Sequence, residues 1–134
     1  MSMFSALDTA TSGVNVHSTW MDAIADNVAN VNTVRPGGQE PFRAEMVELA
    51  SVKDSNNIGS GVEVKSVVRK GGDPAVTYDP ENPLADSKGY VTQPVVDMSE
   101  EMTNMMIASR AYQMNLNVMD RVRDAYLQAL QIGK

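Results

Sequence analysis

The acid-base chemistry open to this chain rests on one histidine, His17, and seventeen aspartates and glutamates; there is no cysteine. A metal centre needs several ligands brought together, and a general base needs a partner to tune it. His17 sits within a helical pattern without a cysteine or a cluster of carboxylates at ligand spacing, so it reads as a polar residue at a packing contact. The adjacent acids Glu100 and Glu101 stand where a second helix should begin, and negative charge there meets the positive end of the helix dipole. Phosphate-binding glycine loops, calcium loops, nucleophile elbows and zinc-protease motifs are all absent. Trp20 and the four tyrosines are too scattered for a platform that stacks bases. The sequence therefore offers no catalytic residue, no cofactor site and no metal site.

What remains is the chemistry of side-chain amides. The stretch "DNVANVNTVRPGG", residues 26–38, places Asn27, Asn30 and Asn32 at the end of a helical pattern. Asparagine is a poor helix former because its amide competes for backbone hydrogen bonds. An amide both donates and accepts, so it can meet the unsatisfied carbonyls of a helix end where water is scarce, and can fix register as buried polar groups do in coiled coils. At least two of these three side chains are expected to bond backbone or another chain. The alternative is a frayed end at which asparagine merely caps the helix before Pro36.

Two long helices must position these groups. Met3, Leu7, Ala10, Val14, His17, Met21, Ile24, Val28 and Val31 recur at alternating steps of four and three. That heptad spacing predicts a helix near residues 3–31, about 43 Å long, with Ser2 as its N-cap. Gly13 within it costs about 1 kcal/mol relative to alanine unless a close helix contact uses the missing side chain. Toward the C-terminus, Met98, Met102, Met105, Ser109, Tyr112, Leu116, Met119, Arg123, Tyr126 and Leu130 form one seam. Ala108, Ala111, Asn115, Val118, Val122, Ala125, Ala129 and Ile132 form a second beside it. The two merge into an apolar arc about 160° wide, and Met106, Ile107, Met114 and Leu127 add to the remaining face. One partner helix cannot cover so much, so the second seam is expected to stay exposed for other subunits. Six of the ten methionines lie in this half, and their flexibility suits contact with non-identical surfaces as well as plain core filling.

Residues 35–96 are punctuated by glycine and proline, as at Pro36-Gly37-Gly38, Gly71-Gly72 and Asn82-Pro83. "GVEVKSVVRK" alternates valine with charge, and "FRAEMVEL", "PAVTYDP" and "GYVTQPVV" are further strand candidates. Residues 51–61, "SVKDSNNIGSG", read as a flexible loop. The fold class is therefore α+β: an N-terminal helix over 1–34, a small antiparallel β insert over 35–96, and a C-terminal helix over 97–134, the two helices pairing as a coiled coil.

At 134 residues the length suits one domain, and the net charge of −6 gives no reason to bind nucleic acid or an anionic membrane face. No apolar run approaches the ~18 residues that would span a bilayer, so no direct membrane insertion is expected. The first 34 residues carry Asp8, Asp22 and Asp26 but neither lysine nor arginine, which does not fit the basic start of a secretory signal.

The motif "IADNVANVNT", then "PFRAEMVEL", and near the C-terminus "ASRAYQMNLNVM" together resemble the paired terminal signatures of the bacterial flagellar rod and hook family. The short central segment and the run "YDPENPLADSKGYV" at 78–91 are most similar to its proximal-rod branch. Asn27, Ala29, Asn30, Asn32 and Thr33 match the first signature, and Arg110, Ala111, Tyr112 and Asn115 the last; Ala25 and Asp26 depart from the serine and asparagine more usual there. The resemblance implies a helix pair lining a hollow helical assembly with the insert outside, and export to the periplasm without a cleaved signal. It implies contacts with copies of itself, other proximal-rod subunits, the distal-rod subunit, and the adaptor joining rod to membrane ring and export gate. The candidate subunit-contact residues are Leu7, Val14, Met21, Ile24, Asn27, Val28, Asn30 and Asn32 on the first helix. On the second they are Met102, Met105, Arg110, Tyr112, Asn115, Leu116, Met119, Val122, Tyr126 and Leu130. Rival readings are a soluble coiled-coil adaptor forming a small oligomer, and a small enzyme with its site in the insert.

Overall fold

The computed structural model describes residues 3–53 and 59–132. Helix α1 spans Met3–Asn30, one residue short of the span that the heptad spacing predicts. Its threonines are accommodated because their hydroxyls turn back onto the helix: Thr9, Thr11 and Thr19 donate to the carbonyls of Ser5, Leu7 and Asn15 at 2.8, 2.8 and 3.1 Å. The helix closes with Thr33 N–H on the Asn30 carbonyl at 3.0 Å, before Pro36. Ser2, the expected cap, lies outside the described residues.

Helix α2 spans Met98–Ile132 and is capped by Asp97, whose Oδ1 accepts from the amides of Ser99 and Glu100 at 2.8 and 3.2 Å. Low numbers on α1 face high numbers on α2. Phe4 packs beside Tyr126 with ring centroids 6.3 Å apart, Thr11 approaches the Met119 sulfur, and Asn27 meets Glu101. The pair is therefore antiparallel. Gly13 justifies its place, because a Cβ there would come within 2.8 Å of the Asn115 amide.

Between the helices lie five strands: β1 (Arg35–Pro36), β2 (Glu45–Lys53), β3 (Gly59–Arg69), β4 (Ala75–Tyr78) and β5 (Tyr90–Gln93). They form two separate antiparallel sheets, a β2–β3 hairpin and a three-stranded sheet of order β1-β5-β4. Two differences from the sequence reading follow. Pro36, read as a turn residue, pairs with Val91, which is possible because a proline needs no donor at the edge of a sheet. Residues 51–61 are not all loop: Ser51–Lys53 continue β2 and Gly59–Gly61 open β3, with 54–58 outside the described residues.

The hairpin lies against α1. Ser12 Oγ accepts from Val62 N–H at 3.1 Å, and Gly61, at φ +145°, leaves room for that hydroxyl 2.5 Å from where its Cβ would stand. This second neighbour turns the covered stripe of α1 away from the heptad seam. Buried are Ala10, Gly13, Val16, Ala23, Ile24 and Asn27, while Leu7, Val14, Met21 and Val28 lie half-buried at its edge. On α2 the two seams are likewise mixed. Ala108 is buried, and Ala111, Asn115 and Val122 of the second seam are partly covered; Met98, Met102, Tyr126 and Leu130 of the first are exposed. The expectation that the second seam as a whole stays exposed is corrected accordingly: α1 sits over the groove between the seams.

Candidate subunit-contact surfaces

The junction of all three parts is built on Asn27, 1% exposed. Its Oδ1 accepts from Glu45 N–H at 2.7 Å while its Nδ2 donates to the Glu45 carbonyl at 2.9 Å, so the amide mimics a strand neighbour at the first residue of β2. The same Nδ2 donates to Glu101 Oε1 at 3.1 Å, in the first turn of α2. One side chain thus ties the C-terminal end of α1 to the start of the hairpin and the start of the second helix. Asn30 serves its own helix: its Nδ2 donates to the Asp26 carbonyl at 2.9 Å and its Oδ1 accepts from Thr33 Oγ1 at 3.2 Å. Asn32 is exposed. Two of the three asparagines therefore bond backbone, as the amide argument requires. Glu45 and Glu101 were not singled out as partners of Asn27, although Glu101 shares a helical face with Met105 and Ala108, a spacing that marks it as inward-facing.

The core is thin. Among the described residues the buried hydrophobics are Ala10, Val16, Ala23, Ile24, Ala44, Val91 and Ala108, four of them alanines. The outside of α2, by contrast, carries many apolar side chains: Met102 is 60% exposed, Met114 67% and Ile132 87%, and Met106, Ile107, Val118, Leu127 and Leu130 are between 43% and 56% exposed. Each such side chain would gain about 1.5–3 kcal/mol on full burial.

The expected contact residues divide into two groups. Ile24 and Asn27 are enclosed by their own chain, and Leu7, Val14, Met21, Val28, Asn30, Met105, Tyr112, Asn115, Leu116, Met119 and Val122 are half-covered. Asn32, Met102, Arg110, Tyr126 and Leu130 face outward. Met106, Ile107 and Met114, more exposed than several of the expected set, were not included in it.

The run 78–91 is a self-bonded turn. Asp86 Oδ1 accepts from the amides of Lys88 and Tyr90 at 2.8 and 2.9 Å, and these bonds, that of Tyr90 first, hold its carboxyl below the usual aspartate range. Gly89, at φ +80°, lets the chain turn where a Cβ would strike the Tyr78 ring at 2.8 Å. Tyr78 and Tyr90 meet edge to face, 5.3 Å between centroids. His17 Nδ1 is buried without a hydrogen-bond partner among the described residues, its ring 6.1 Å from that of Trp20. Among the described residues no three potential metal ligands cluster, and no helix is long and apolar enough to cross a membrane.

Residues 7–36 match the family model described as flagella basal body rod protein, and residues 87–132 match that of the flagellar basal body rod FlgEFG protein C-terminal region. The chain is 35% identical to the flagellar basal-body rod protein FlgC of Salmonella typhimurium over 134 residues, covering all of both chains. It is 31% identical to the FlgC of Bacillus subtilis, again over the whole of both, and 32% identical to that of Borreliella burgdorferi over 98% of each. The matched segments contain Asn27 and Glu101 of the junction, the capped start of α2 and its exposed apolar surface, and with full-length identity at this level the chain belongs to the flagellar basal-body rod protein family, on its FlgC branch.

Proposed function

We propose that this chain is a structural, non-enzymatic subunit of the flagellar basal-body rod, packing side by side and end to end with its neighbours into a hollow helical shaft. That shaft transmits torque and encloses an export channel. The observation that carries the reading is the mismatch between a core made largely of alanine and a second helix on which Met102, Met106, Ile107, Met114, Leu127 and Leu130 are exposed. Burial of that surface by neighbouring subunits would exceed what the chain can bury alone. The relatives' names add the place: a basal-body rod.

The contact residues on this reading are the outward set, Asn32, Met102, Arg110, Tyr126 and Leu130, with the half-covered residues flanking them. The partners are copies of the chain, other proximal-rod subunits, the distal-rod subunit, and the adaptor toward the membrane ring and export gate. The chain reaches the periplasm without cleavage of a signal, and its insert lies on the outside of the tube. Deleting the gene and isolating basal bodies tests this. Rod-less basal bodies, restored by the intact chain and containing it, are expected; complete rods without it, or a discrete cytoplasmic oligomer, would refute it.

A further inference from the structure

The chain has no cysteine, so its reactive sulfur is confined to ten methionine thioethers. Their exposure is uneven. Met102, Met106 and Met114 are each more than half exposed, on the side of α2 turned away from its buried residues Glu101 and Ala108. Met21, Met105 and Met119 are half-covered, and the Met119 sulfur also takes the Thr11 hydroxyl at 4.0 Å. Met46 is exposed to a similar degree as Met106 but stands apart, in β2 of the hairpin.

Oxidation of a thioether needs a sulfur lone pair open to the oxidant. With hydrogen peroxide the sulfur attacks one oxygen, the O–O bond breaks and an S–O bond forms. The proton on that oxygen passes to the departing hydroxide, which leaves as water; sulfur gives up two electrons and the peroxide takes them. A flexible apolar side chain thereby becomes a polar, chiral sulfoxide. On a free chain the new oxygen is hydrated. In a contact that covers the outer side of α2 it loses that water, and a buried acceptor left without a donor weakens binding by about tenfold.

We infer that Met102, Met106 and Met114 form a reversible oxidation site that decides whether an unassembled chain can join its neighbours: as thioethers they permit the contact, and as sulfoxides they block it. The inference rests on the rod reading, which requires this side of α2 to be covered. With no thiol in the chain to intercept a peroxide, the exposed thioethers take the oxidant first. Reversal is available because sulfoxide reductases, one for each epimer, restore the thioether. Once the chain is in place the same sulfurs are shielded. Oxidation therefore falls on chains awaiting assembly and spares the finished shaft.

The purified full chain, treated with hydrogen peroxide and mapped by peptide mass, is expected to gain oxygen at Met102, Met106 and Met114 several-fold faster than at Met21 and Met119. Equal rates overturn the inference at its first step. Met102→Leu, Met106→Leu and Met114→Leu together keep the apolar volume and remove the sulfurs. Expressed beside the parent chain in one cell, this variant competes for the same places. A peroxide pulse during expression should raise the variant-to-parent ratio in isolated basal bodies about tenfold over the untreated ratio. Parent chains recovered from those basal bodies should carry thioethers at the three positions. An unchanged ratio, an equal rise for Met46→Leu alone, or sulfoxide at the three positions at the level of the free chain overturns the switch and leaves the rod reading intact. Absence of parent and variant alike from untreated basal bodies overturns both.

Discussion

The side-chain amide of Asn27 and the backbone of Glu45 form a closed pair of hydrogen bonds, 2.7 Å to the amide nitrogen and 2.9 Å to the carbonyl oxygen. Replacing Asn27 with alanine strands both backbone groups and the nearby Glu101 carboxylate. A loss of about 2–4 kcal/mol is expected, read from the urea midpoint of the purified chain. Asn27→Asp should cost as much, because it cannot donate to the Glu45 carbonyl and brings negative charge to Glu101. An unchanged midpoint for either variant would show that the junction contributes nothing to stability.

Gly13 and Asn115 are in direct contact across the helix pair, and the Asn115 amide is itself held by the Ala111 carbonyl at 3.0 Å. Gly13→Ala gains up to ~1 kcal/mol in helix propensity but pushes into that amide. Gly13→Val should destabilise by about 1–3 kcal/mol. Combining Gly13→Ala with Asn115→Ala should be more stable than Gly13→Ala alone. Thermal melts of the four-member cycle would expose simple additivity, which this contact forbids.

Ser12 joins α1 to the hairpin, accepting from Val62 N–H while donating to the Thr9 carbonyl at 2.7 Å. Ser12→Ala should cost about 1 kcal/mol and speed hydrogen exchange at Val62 above that at strand amides nearer Arg69. Equal protection in variant and parent would remove the serine from the account.

Asp86 titrates below an ordinary aspartate because its ionised form accepts the Tyr90 and Lys88 amides. A depressed folded pKa means the contribution is fully present above the usual aspartate pKa, and is lost as pH falls through the lowered one. Amide resonances of Tyr90 and Lys88 should therefore hold steady through the normal carboxylate range and move only at more acidic pH. Asp86→Asn should abolish that movement, and its persistence would assign the titration to another group.

From Arg123 to Ile132 every residue of α2 is exposed, although Tyr126 packs beside Phe4. Trypsin should therefore cut the isolated chain at Arg121 or Arg123 before it cuts the lysines and arginines paired within the hairpin. In assembled basal bodies the same bonds should resist. Equal resistance in the free chain would mean that the end of α2 is held by its own fold.

Both helices were legible because their apolar residues recur at 3.6-residue spacing, and the longer strands because valine alternates with charge. Pairing was not. Nothing local in Arg35–Pro36 says that it meets Val91 and Thr92, and the separation of the insert into two sheets depends on partners distant in sequence. The amides of Asn27 and Asn30 were recognisable as groups needing partners. Glu45 and Glu101, 18 and 74 residues from Asn27, could not be named from spacing alone. The covered stripe of α1 departs from its heptad seam for a related reason: a seam assumes one neighbour, and this helix has two.

Every residue between the helices leaves and re-enters through the neck where Asn27 meets Glu45 and Glu101. The hairpin then returns along α1 as far as Ser12, so the strands brace the first helix over most of its length. Lengthening β2 and β3 together would therefore slide that brace along α1 while the neck stayed in place.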